Sequence, residues 1–308
     1  MKLEVVSRSG RSIATLDVNP DSTVAELKKK FYGLKKTYYP ARQRFALPVK
    51  PGETRGQVLS DDSKRLSDYG LADGGKLEFK DLGPQIGYST VFFWEYFGPL
   101  VVYPLFFFLP QYLYPGTKLP AGGPQHALVQ KLACGYWCFH YAKRIVETFT
   151  VHKFGHATMP IFNLFKNCGY YWGYAAYVSY FVNHPLYTAP NQTVSVACLA
   201  VAGLMQLGNL WSHLILAGLR KPGEKDYKIP KGGLFNFVTC ANYTFEIWGW
   251  LLFSVSVQSI PAYLFAATGA AQMTQWAIAK HNRLRKLFDG KEGRPKYPRR
   301  WIIFPPFL

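Results

Sequence analysis

Polar side chains interrupt two apolar segments in the carboxyl-terminal third of the sequence. Asn209 and His213 lie in the first segment, and Asn242 and Tyr243 open the second. Polar groups in segments of membrane length are costly unless they bind something. The loop between the segments, residues 220–233, is basic and contains Gly and Pro, which suits a phosphate-bearing ligand at a membrane surface. This pattern predicts a binding site for an anionic ligand where the segments meet the loop.

Two other apolar segments also carry charged residues. Glu95 is the one carboxylate in the apolar run of residues 87–109. Such a residue faces a cavity or a partner by default, although an interfacial Glu bonded to a neighbouring helix fits the pattern equally well. The helix predicted for residues 126–151 carries on its middle turns His140, Tyr141, Lys143, Arg144 and Glu147. Residues 140, 144 and 147 share one face, which either binds anionic groups of a cofactor or forms a Lys–Glu pair at the membrane edge.

Two spacings fit metal ligands but lack the rest of a metal site. His152 and His156 are four residues apart, but Gly155 disfavours a helix there and no acidic ligand lies near in sequence. Cys134 and Cys138 are also four apart, without a second Cys or His pair, and are interpreted as buried thiols. The sequence therefore predicts no metal site.

Composition divides the chain into two regions. The 308 residues carry a net charge of +18 and include 49% hydrophobic and 17% aromatic residues, yet the mean hydropathy is only -0.05. Residues 1 to about 83 are polar and charged, whereas the chain from Gly87 onward is apolar with basic connections. This pattern predicts a cytosolic head followed by a membrane domain that crosses the bilayer several times. The positive charge accompanies no motif that reads nucleic acid, so we expect membrane lipid and anionic small molecules as partners instead.

The head has the pattern of a small α+β domain. Two alternating stretches on either side of Ser9-Gly10 predict a hairpin. Thr23 is placed to cap a helix that has Glu26 in its first turn. Further strands are predicted at residues 42–49 and 76–80, with a short turn between them. The order strand, strand, helix, strand, turn, strand resembles ubiquitin, and the head either docks a partner or is a fused cap without separate activity.

The apolar region contains about six segments of membrane length. They are predicted at residues 87–109, 126–151, 163–181, 193–219, 234–257 and 260–279. A basic stretch begins at Lys280, and the positive-inside rule places it in the cytosol. Both termini are therefore expected on the cytosolic side, which an even number of crossings allows.

Four stretches resemble the steroid 5-alpha-reductase family and, within it, the trans-2,3-enoyl-CoA reductases of very-long-chain fatty acid elongation. They are residues 80–86, 95–99, 140–167 and 242–246. The resemblance extends over the whole chain, including the ubiquitin-like head that the related steroid reductases lack, whereas the loop at residues 220–235 is closer to the steroid reductases. It implies a ubiquitin-like α+β domain at residues 1–83 and an all-α membrane reductase domain of about six transmembrane helices at residues 84–308.

The resemblance also assigns roles to residues at matching positions. Glu95 and Tyr243 match the glutamate and tyrosine implicated in catalysis. Four residues match positions that line the NADPH site of the steroid reductases: Arg144, Asn209, Arg220 and Asn242. His281, from the basic stretch, is added to this set. Tyr141, with His140 beside it, matches a tyrosine that contacts substrate. His213 stands where those reductases have an acidic residue.

The chemistry implied by the resemblance is reduction of a trans-2-enoyl-CoA by NADPH at its carbon–carbon double bond. Hydride goes to C3 and a proton goes to C2. We expect Tyr243 to donate that proton, helped by the positive charge at Arg144, and Glu95 to orient Tyr243 or the substrate. The chain has no G-x-G-x-x-G after a strand, so the cofactor is expected in a polar cavity among the helices.

The family also sets the cellular context and the alternatives. It implies residence in the endoplasmic reticulum membrane and association with other enzymes of the elongation complex. A steroid or polyprenol reductase on the same fold is the first alternative. A membrane methyltransferase that uses S-adenosylmethionine and a non-enzymatic adaptor that presents the ubiquitin-like head are the others.

Overall fold

The chain forms two compact units in a computed structural model. The described residues are 1–49, 52, 54, 56–117, 123, 125–155, 157–219, 224 and 227–308. The head comprises Met1–Tyr88 together with His156–Asn163. The helical unit comprises Ser89–Gly155 together with Leu164–Leu308.

The head contains a four-stranded sheet and one α-helix. Its elements are β1 (Lys2–Ser7), β2 (Ser12–Asp17), α1 (Val24–Leu34), β3 (Gln43–Ala46) and β4 (Lys76–Asp81). The strand order is β2-β1-β4-β3, with β1 parallel to β4 and antiparallel to β2. The predicted order of elements is confirmed. Strand β3 is shorter than predicted because the chain beyond Ala46 continues only in an isolated bridge from Ala46 to Val58.

Helix α1 covers the sheet with the apolar face that its spacing predicts. Val24, Leu27 and Phe31 have no exposed surface and pack against the strands. The Thr23 side chain accepts a hydrogen bond from the Glu26 amide, and the Glu26 carboxylate accepts one from the Thr23 amide. This reciprocal pair is a capping box, and it fixes where the helix begins.

A second, two-stranded sheet extends the head beyond residue 83. Strand β5 (Gln85–Gly87) pairs antiparallel with β6 (Thr158–Pro160), and the Ile161 amide donates to the Pro84 carbonyl. Because β5 and its partner belong to the same compact unit, the head ends at Tyr88 and includes a segment from between two later helices.

Six long helices are present in the described part of the helical unit. They are α2 (Tyr88–Phe108), α4 (Leu128–Thr150), α5 (Phe162–Val182), α6 (Gln192–Gly218), α7 (Ala241–Val257) and α8 (Ile260–Leu287), and a short α3 (Pro110–Leu113) follows α2. Five of them begin within two residues of the predicted start. The exception is α7, which begins seven residues after the predicted position 234.

The carboxyl-terminal segment explains the late start of α7. The Trp301 amide donates to the Phe237 carbonyl, and the Thr239 and Cys240 amides donate to the carbonyls of Trp301 and Ile302. Residues 237–240 are therefore bonded to the end of the chain and do not belong to α7. The basic stretch from Lys280, predicted as a tail, instead continues α8 for two more turns, with Leu284 buried on its inner side.

Two of the helices, α2 and α6, are long and apolar enough to cross a membrane. Only 39% of the most apolar window of α2 and 28% of that of α6 are buried within the protein. An apolar helix that is mostly uncovered is typical of a lipid-facing segment and not of the core of a soluble protein. Helix α7 has only 17 residues, and α4, α5 and α8 are less apolar than α2 and α6.

Two close approaches determine how the helices pack. A Cβ at Gly208 of α6 would lie 2.6 Å from the Phe245 ring of α7, so only glycine admits this contact. A Cβ at Gly98 of α2 would overlap the Trp172 indole of α5, whose Nε1 donates to the Trp94 carbonyl at 2.9 Å. Small residues allow helix backbones to approach closely in membranes. The contact at Gly208 brings the polar ends of α6 and α7 together.

Candidate active site

Arg144 of α4 is the centre of a buried polar cluster. Its Nη1 donates to Glu147 Oε2 at 2.7 Å and to His152 Nε2 at 2.9 Å, and its Nη2 donates to the Tyr96 hydroxyl at 2.8 Å. The guanidinium also lies 4.9 Å from the centre of the Tyr96 ring. With these three hydrogen-bond partners and an aromatic ring around it, the side chain is held in one orientation. The predicted shared face of residues 140, 144 and 147 is confirmed for Arg144 and Glu147.

Glu147 balances the positive charges beside it. Its Oε1 lies 3.1 Å from His213 Nδ1 and 3.4 Å from Lys143 Nζ, and its side chain is only 2% exposed. The predicted Lys–Glu pair on this helix therefore exists, but it is buried. A buried carboxylate with two cationic neighbours is well compensated, whereas a buried ion without partners is very costly.

The same cluster has donor atoms that could hold a metal ion. Ligand atoms of Glu147, His152 and His213 lie within 4.8 Å of one another. However, Arg144 Nη1 lies within hydrogen-bond distance of all three residues, and Lys143 lies beside Glu147. A metal cation here would face a guanidinium and an ammonium at close range, so the donor set fits arginine better than a metal.

A chain of hydrogen bonds links α4 to α6 and α7. Lys143 Nζ donates to Asn209 Oδ1. Asn209 Nδ2 donates to the Asn242 carbonyl at 3.0 Å and lies 3.3 Å from Glu246 Oε2. Asn209 is 1% exposed. It therefore lies behind the site and fixes the first turn of α7, where Asn242 and Tyr243 lie.

A cavity of about 340 Å³ opens beside this network. Its lining includes Arg144, His213, Asn242, Tyr243 and Glu246. Asn242 Oδ1 is buried and has no hydrogen-bond partner among the described residues. An orphaned amide oxygen at the wall of a cavity is an acceptor for a ligand. Of the seven cofactor and catalytic residues predicted from sequence, the structure places Arg144, Asn242 and Tyr243 on this wall.

The rim of the cavity is basic. Lys153, Lys228 and Lys280 line it, together with the half-buried His152 that follows α4. Burial lowers the pKa of His152 to about 4. The ring is therefore neutral at pH 7 and can accept the hydrogen bond from Arg144. The rim has the charge that an anionic ligand requires.

Arg220 lies outside the described residues. Leu219, just before it, and Tyr227 and Lys228, just after the loop, line the cavity. The two chain ends of this loop therefore border the same space as Tyr243. The assignment of Arg220 to the cofactor stays a prediction.

Other predicted site residues lie away from the cavity wall. Glu95, which was predicted to orient Tyr243 or the substrate, is 3% exposed and accepts a hydrogen bond from Asn167 Nδ2 at 2.9 Å. His140 is buried and bonded to Gln206 at 3.0 Å. Tyr141 is fully buried, and its hydroxyl has no partner in the described part of the chain.

His281 lies in a packed interior contact and not among the cavity-lining residues. Its Nδ1 forms a hydrogen bond with the Thr239 hydroxyl at 2.6 Å, and the same hydroxyl oxygen accepts from Tyr297 at 3.1 Å. These bonds tie α8 and the carboxyl-terminal segment to the residues that precede α7. His281 was predicted to bind the cofactor, whereas here it contacts Thr239. Sequence reasoning missed this contact because the two residues are distant in sequence.

The cavity residues that were absent from the predicted set include Glu246, Lys280 and His152. Glu246 is a lone carboxylate in the apolar helix α7, which is the same signal that selected Glu95. Lys280 begins the basic stretch, and His152 belongs to a pair that was considered only as metal ligands. The signal for Glu246 was therefore present in the sequence, whereas the place of His152 beside Arg144 depends on the chain turning back after α4.

Two family models match separate parts of the chain. Residues 157–308 match the family model described as 3-oxo-5-alpha-steroid 4-dehydrogenase, and residues 1–86 match a ubiquitin-like domain. The chain is 45% identical to a very-long-chain enoyl-CoA reductase of Dictyostelium discoideum, over 99% of each chain. It is 43% identical to a probable very-long-chain enoyl-CoA reductase of Caenorhabditis elegans, over 98% of this chain and 96% of that one. It is 32% identical to a trans-2,3-enoyl-CoA reductase-like protein of Homo sapiens, over 92% of this chain and 78% of that one. The chain therefore belongs to the very-long-chain enoyl-CoA reductase family.

Proposed function

We propose that this protein reduces very-long-chain trans-2-enoyl-CoA to saturated acyl-CoA with NADPH, the last step of the fatty acid elongation cycle. The observation that carries the proposal is the cavity at the first turn of α7. Arg144, Asn242 and Tyr243, each selected from the sequence for this chemistry, line it together with Glu246. Family membership supports an oxidoreductase that acts on a carbon–carbon double bond.

The residues of the cavity fit a nicotinamide cofactor. The orphaned Asn242 Oδ1 and the Glu246 carboxylate can accept hydrogen bonds from an amide group. Arg144 and Lys280 supply positive charge for phosphate groups, and we propose that Arg220 adds to it. When bound, NADPH supplies the hydride that adds to C3 of the substrate.

Tyr243 is the proposed proton donor to C2. It is half-buried on the cavity wall, one residue after Asn242, and Arg144 lines the same wall. A positive charge near a phenol favours release of its proton. Asn209 holds the backbone of this turn through the Asn242 carbonyl, so it positions the donor without touching the reacting atoms.

Glu95 is proposed to act through Asn167. The carboxylate accepts from the Asn167 amide group in a buried pair that joins α2 to α5. We propose that this pair, with the Tyr141 hydroxyl and the neighbouring His140, shapes the part of the site that takes the thioester. The Tyr141 hydroxyl is buried without a partner in the described chain and can donate to a carbonyl oxygen.

The proposed setting is the endoplasmic reticulum membrane, with about six crossings and both termini in the cytosol. Support comes from the two uncovered apolar helices and from the basic residues at the end of α8. In this orientation the cavity opens to the cytosol, where NADPH and the CoA head group are available. Membrane lipids and other enzymes of the elongation complex are the proposed partners.

A steroid reductase is the second candidate. The observation that favours it is the match of residues 157–308 to the 3-oxo-5-alpha-steroid 4-dehydrogenase model. Such an enzyme would share the cavity and the cofactor and would differ only in the lipid that is reduced.

The experiment is NADPH oxidation by the purified protein in detergent. A long-chain trans-2-enoyl-CoA and a 3-keto-4-ene steroid are offered in parallel, and NADH replaces NADPH in a third arm. Oxidation of NADPH with the enoyl-CoA alone is expected. Oxidation with the steroid alone would overturn the substrate, and equal use of NADH would overturn the cofactor assignment.

A further inference from the structure

A second, larger cavity lies in the helical unit between the end of α2 and the first half of α4. Its volume is about 970 Å³, at the upper end of the ~300–1,000 Å³ range of small-molecule sites. Residues that line it include Phe107 and Phe108 of α2 and Cys134, Gly135 and Cys138 of α4. Nothing in the proposed chemistry uses these residues.

The cavity is aligned along α4 with the residues of the proposed site. Cys134, Cys138 and Tyr141 are spaced i, i+4 and i+7, so they share one face of the helix. Arg144 follows one turn after Tyr141 and lines the cavity beside Tyr243. Helix α4 therefore presents, in order, an apolar groove, a buried hydroxyl without a described partner and a guanidinium.

We propose that this groove binds the acyl chain of the substrate, with the thioester end directed towards Tyr141. The inference rests on the proposed function and identifies where the very long chain lies. An acyl chain needs an apolar surface that is open to the membrane, and a thioester carbonyl needs a donor. The groove and the Tyr141 hydroxyl supply these two features within one helical turn of each other.

Polar side chains also line the groove. His126 is one of them, and its Nε2 donates to the Phe107 carbonyl at 2.7 Å and its ring stacks on the Phe107 ring at 3.9 Å. Burial lowers the pKa of His126, so the ring is neutral at pH 7. Lys131 is exposed, and long cationic side chains of this kind extend to the membrane–water boundary. Lys131 is the cationic side chain of the groove lining, so a phospholipid is the competing occupant, which the experiment below distinguishes.

Gly135 provides a direct test. A Cβ at this position would meet no atom within 4 Å, so larger side chains project into the groove without a clash in the fold. The series Gly135→Ala, Gly135→Leu and Gly135→Phe fills the groove in steps. The matched control is Gly173→Phe on α5, because Gly173 is exposed, has equally open surroundings and is not among the groove-lining residues.

The readout is kcat/KM for an eighteen-carbon and a four-carbon trans-2-enoyl-CoA. We expect the ratio of long to short to fall progressively along the series, by about tenfold or more for Gly135→Phe, since a blocked pocket discriminates by at least this much. The control should leave the ratio unchanged. An unchanged ratio in all three Gly135 variants, or a parallel loss with both substrates, would overturn the inference.

Three further outcomes are decisive. If Gly135→Phe no longer gains thermal stability from NADPH, it has lost its fold, and Gly135→Ala and Gly135→Leu decide the question. If a co-purifying phospholipid is lost from the variants while the ratio stays constant, the groove is a lipid site and the inference is wrong. If the unchanged protein oxidises NADPH with neither substrate, the proposed function itself fails, and the inference fails with it.

Discussion

The head and the helical unit place their charged residues in opposite ways. In the head, the ion pairs Lys28–Asp62 and Arg42–Asp81 lie at the surface, with the Asp62 side chain 59% exposed. In the helical unit, the side chains of Lys143 and Glu147 are 6% and 2% exposed. Surface pairs contribute little and are easily replaced. A buried pair persists only with complete compensation, so its position indicates a role.

Apolar side chains show the reverse distribution. Phe31 and Phe45 of the head are fully buried, whereas Phe108, Phe149 and Trp211 of the helical unit are 65%, 61% and 51% exposed. Contiguous exposed apolar surface marks a membrane or a partner. The head is thus organised for water and the helical unit for lipid, and several polar groups of the helical unit line the cavity.

The largest expected effect is from Tyr243→Phe, which tests whether the polar residues of the helical unit are there for chemistry. Turnover should fall by roughly 10²- to 10⁴-fold, the usual contribution of a positioned proton donor. NADPH affinity should stay the same, because the ring is kept. The measurement is kcat together with the Kd for NADPH from fluorescence.

Tyr112→Phe is the control for the same atom change. Tyr112 is 75% exposed on α3 and should tolerate the loss of its hydroxyl. Turnover of Tyr243→Phe within threefold of the unchanged protein would remove this tyrosine from the mechanism. The buried polar groups would then need another explanation.

The second prediction compares the two kinds of ion pair directly. Glu147→Gln leaves Lys143 and Arg144 without their carboxylate and should destabilise the helical unit by about 3 kcal/mol, as removal of one partner of a buried pair does. Asp62→Asn in the head should cost less than about 1 kcal/mol. Unfolding in detergent, followed separately for the two units by hydrogen exchange, measures both.

Equal effects of these two substitutions would contradict the comparison. A Glu147→Asp variant adds a control, because it keeps the charge and changes only its reach. Partial recovery of stability in that variant is expected if the charge, and not the exact side-chain length, is what the cluster needs.

The third prediction concerns the hydrogen bond between Glu95 and Asn167. If Glu95 acts through Asn167, then Glu95→Gln and Asn167→Ala should each lower turnover, and the double variant should be no worse than the more damaged single one. Residues in contact typically show coupling of 0.5–3 kcal/mol, about 1 kcal/mol being a reasonable expectation here. The measurement is kcat/KM for the four proteins of the cycle. Additive losses would show that the two residues act independently.

The same comparison explains what could be predicted from the sequence. In the head, strands and helix bury one face each, so alternating and helical spacing predicted the elements, and the capping box of Thr23 and Glu26 is local in sequence. In the helical unit, helix positions followed from length and hydropathy. The helices are apolar on most sides, so no pattern showed which faces meet.

The site was predicted only where a motif carried it. Arg144, Asn242 and Tyr243 were found because they belong to stretches that resemble the family. The partners of Glu95 and His281 were not predicted, because Asn167 and Thr239 are distant in sequence and reach them only through packing. Tertiary contacts such as that of Gly208 with Phe245 decide these pairings.

The smallest expected effect is from Thr23→Ala in the head. The substitution removes the acceptor for the Glu26 amide and should cost about 1 kcal/mol, the usual value for a lost helix cap. Because the change lies in the water-organised unit and outside the cavity, NADPH oxidation should be unchanged. Hydrogen exchange in the full-length protein should become faster in α1 and stay unchanged in α7. Loss of oxidation with an intact α7 would mean that the head contributes to catalysis, so the two units could no longer be treated as energetically separate.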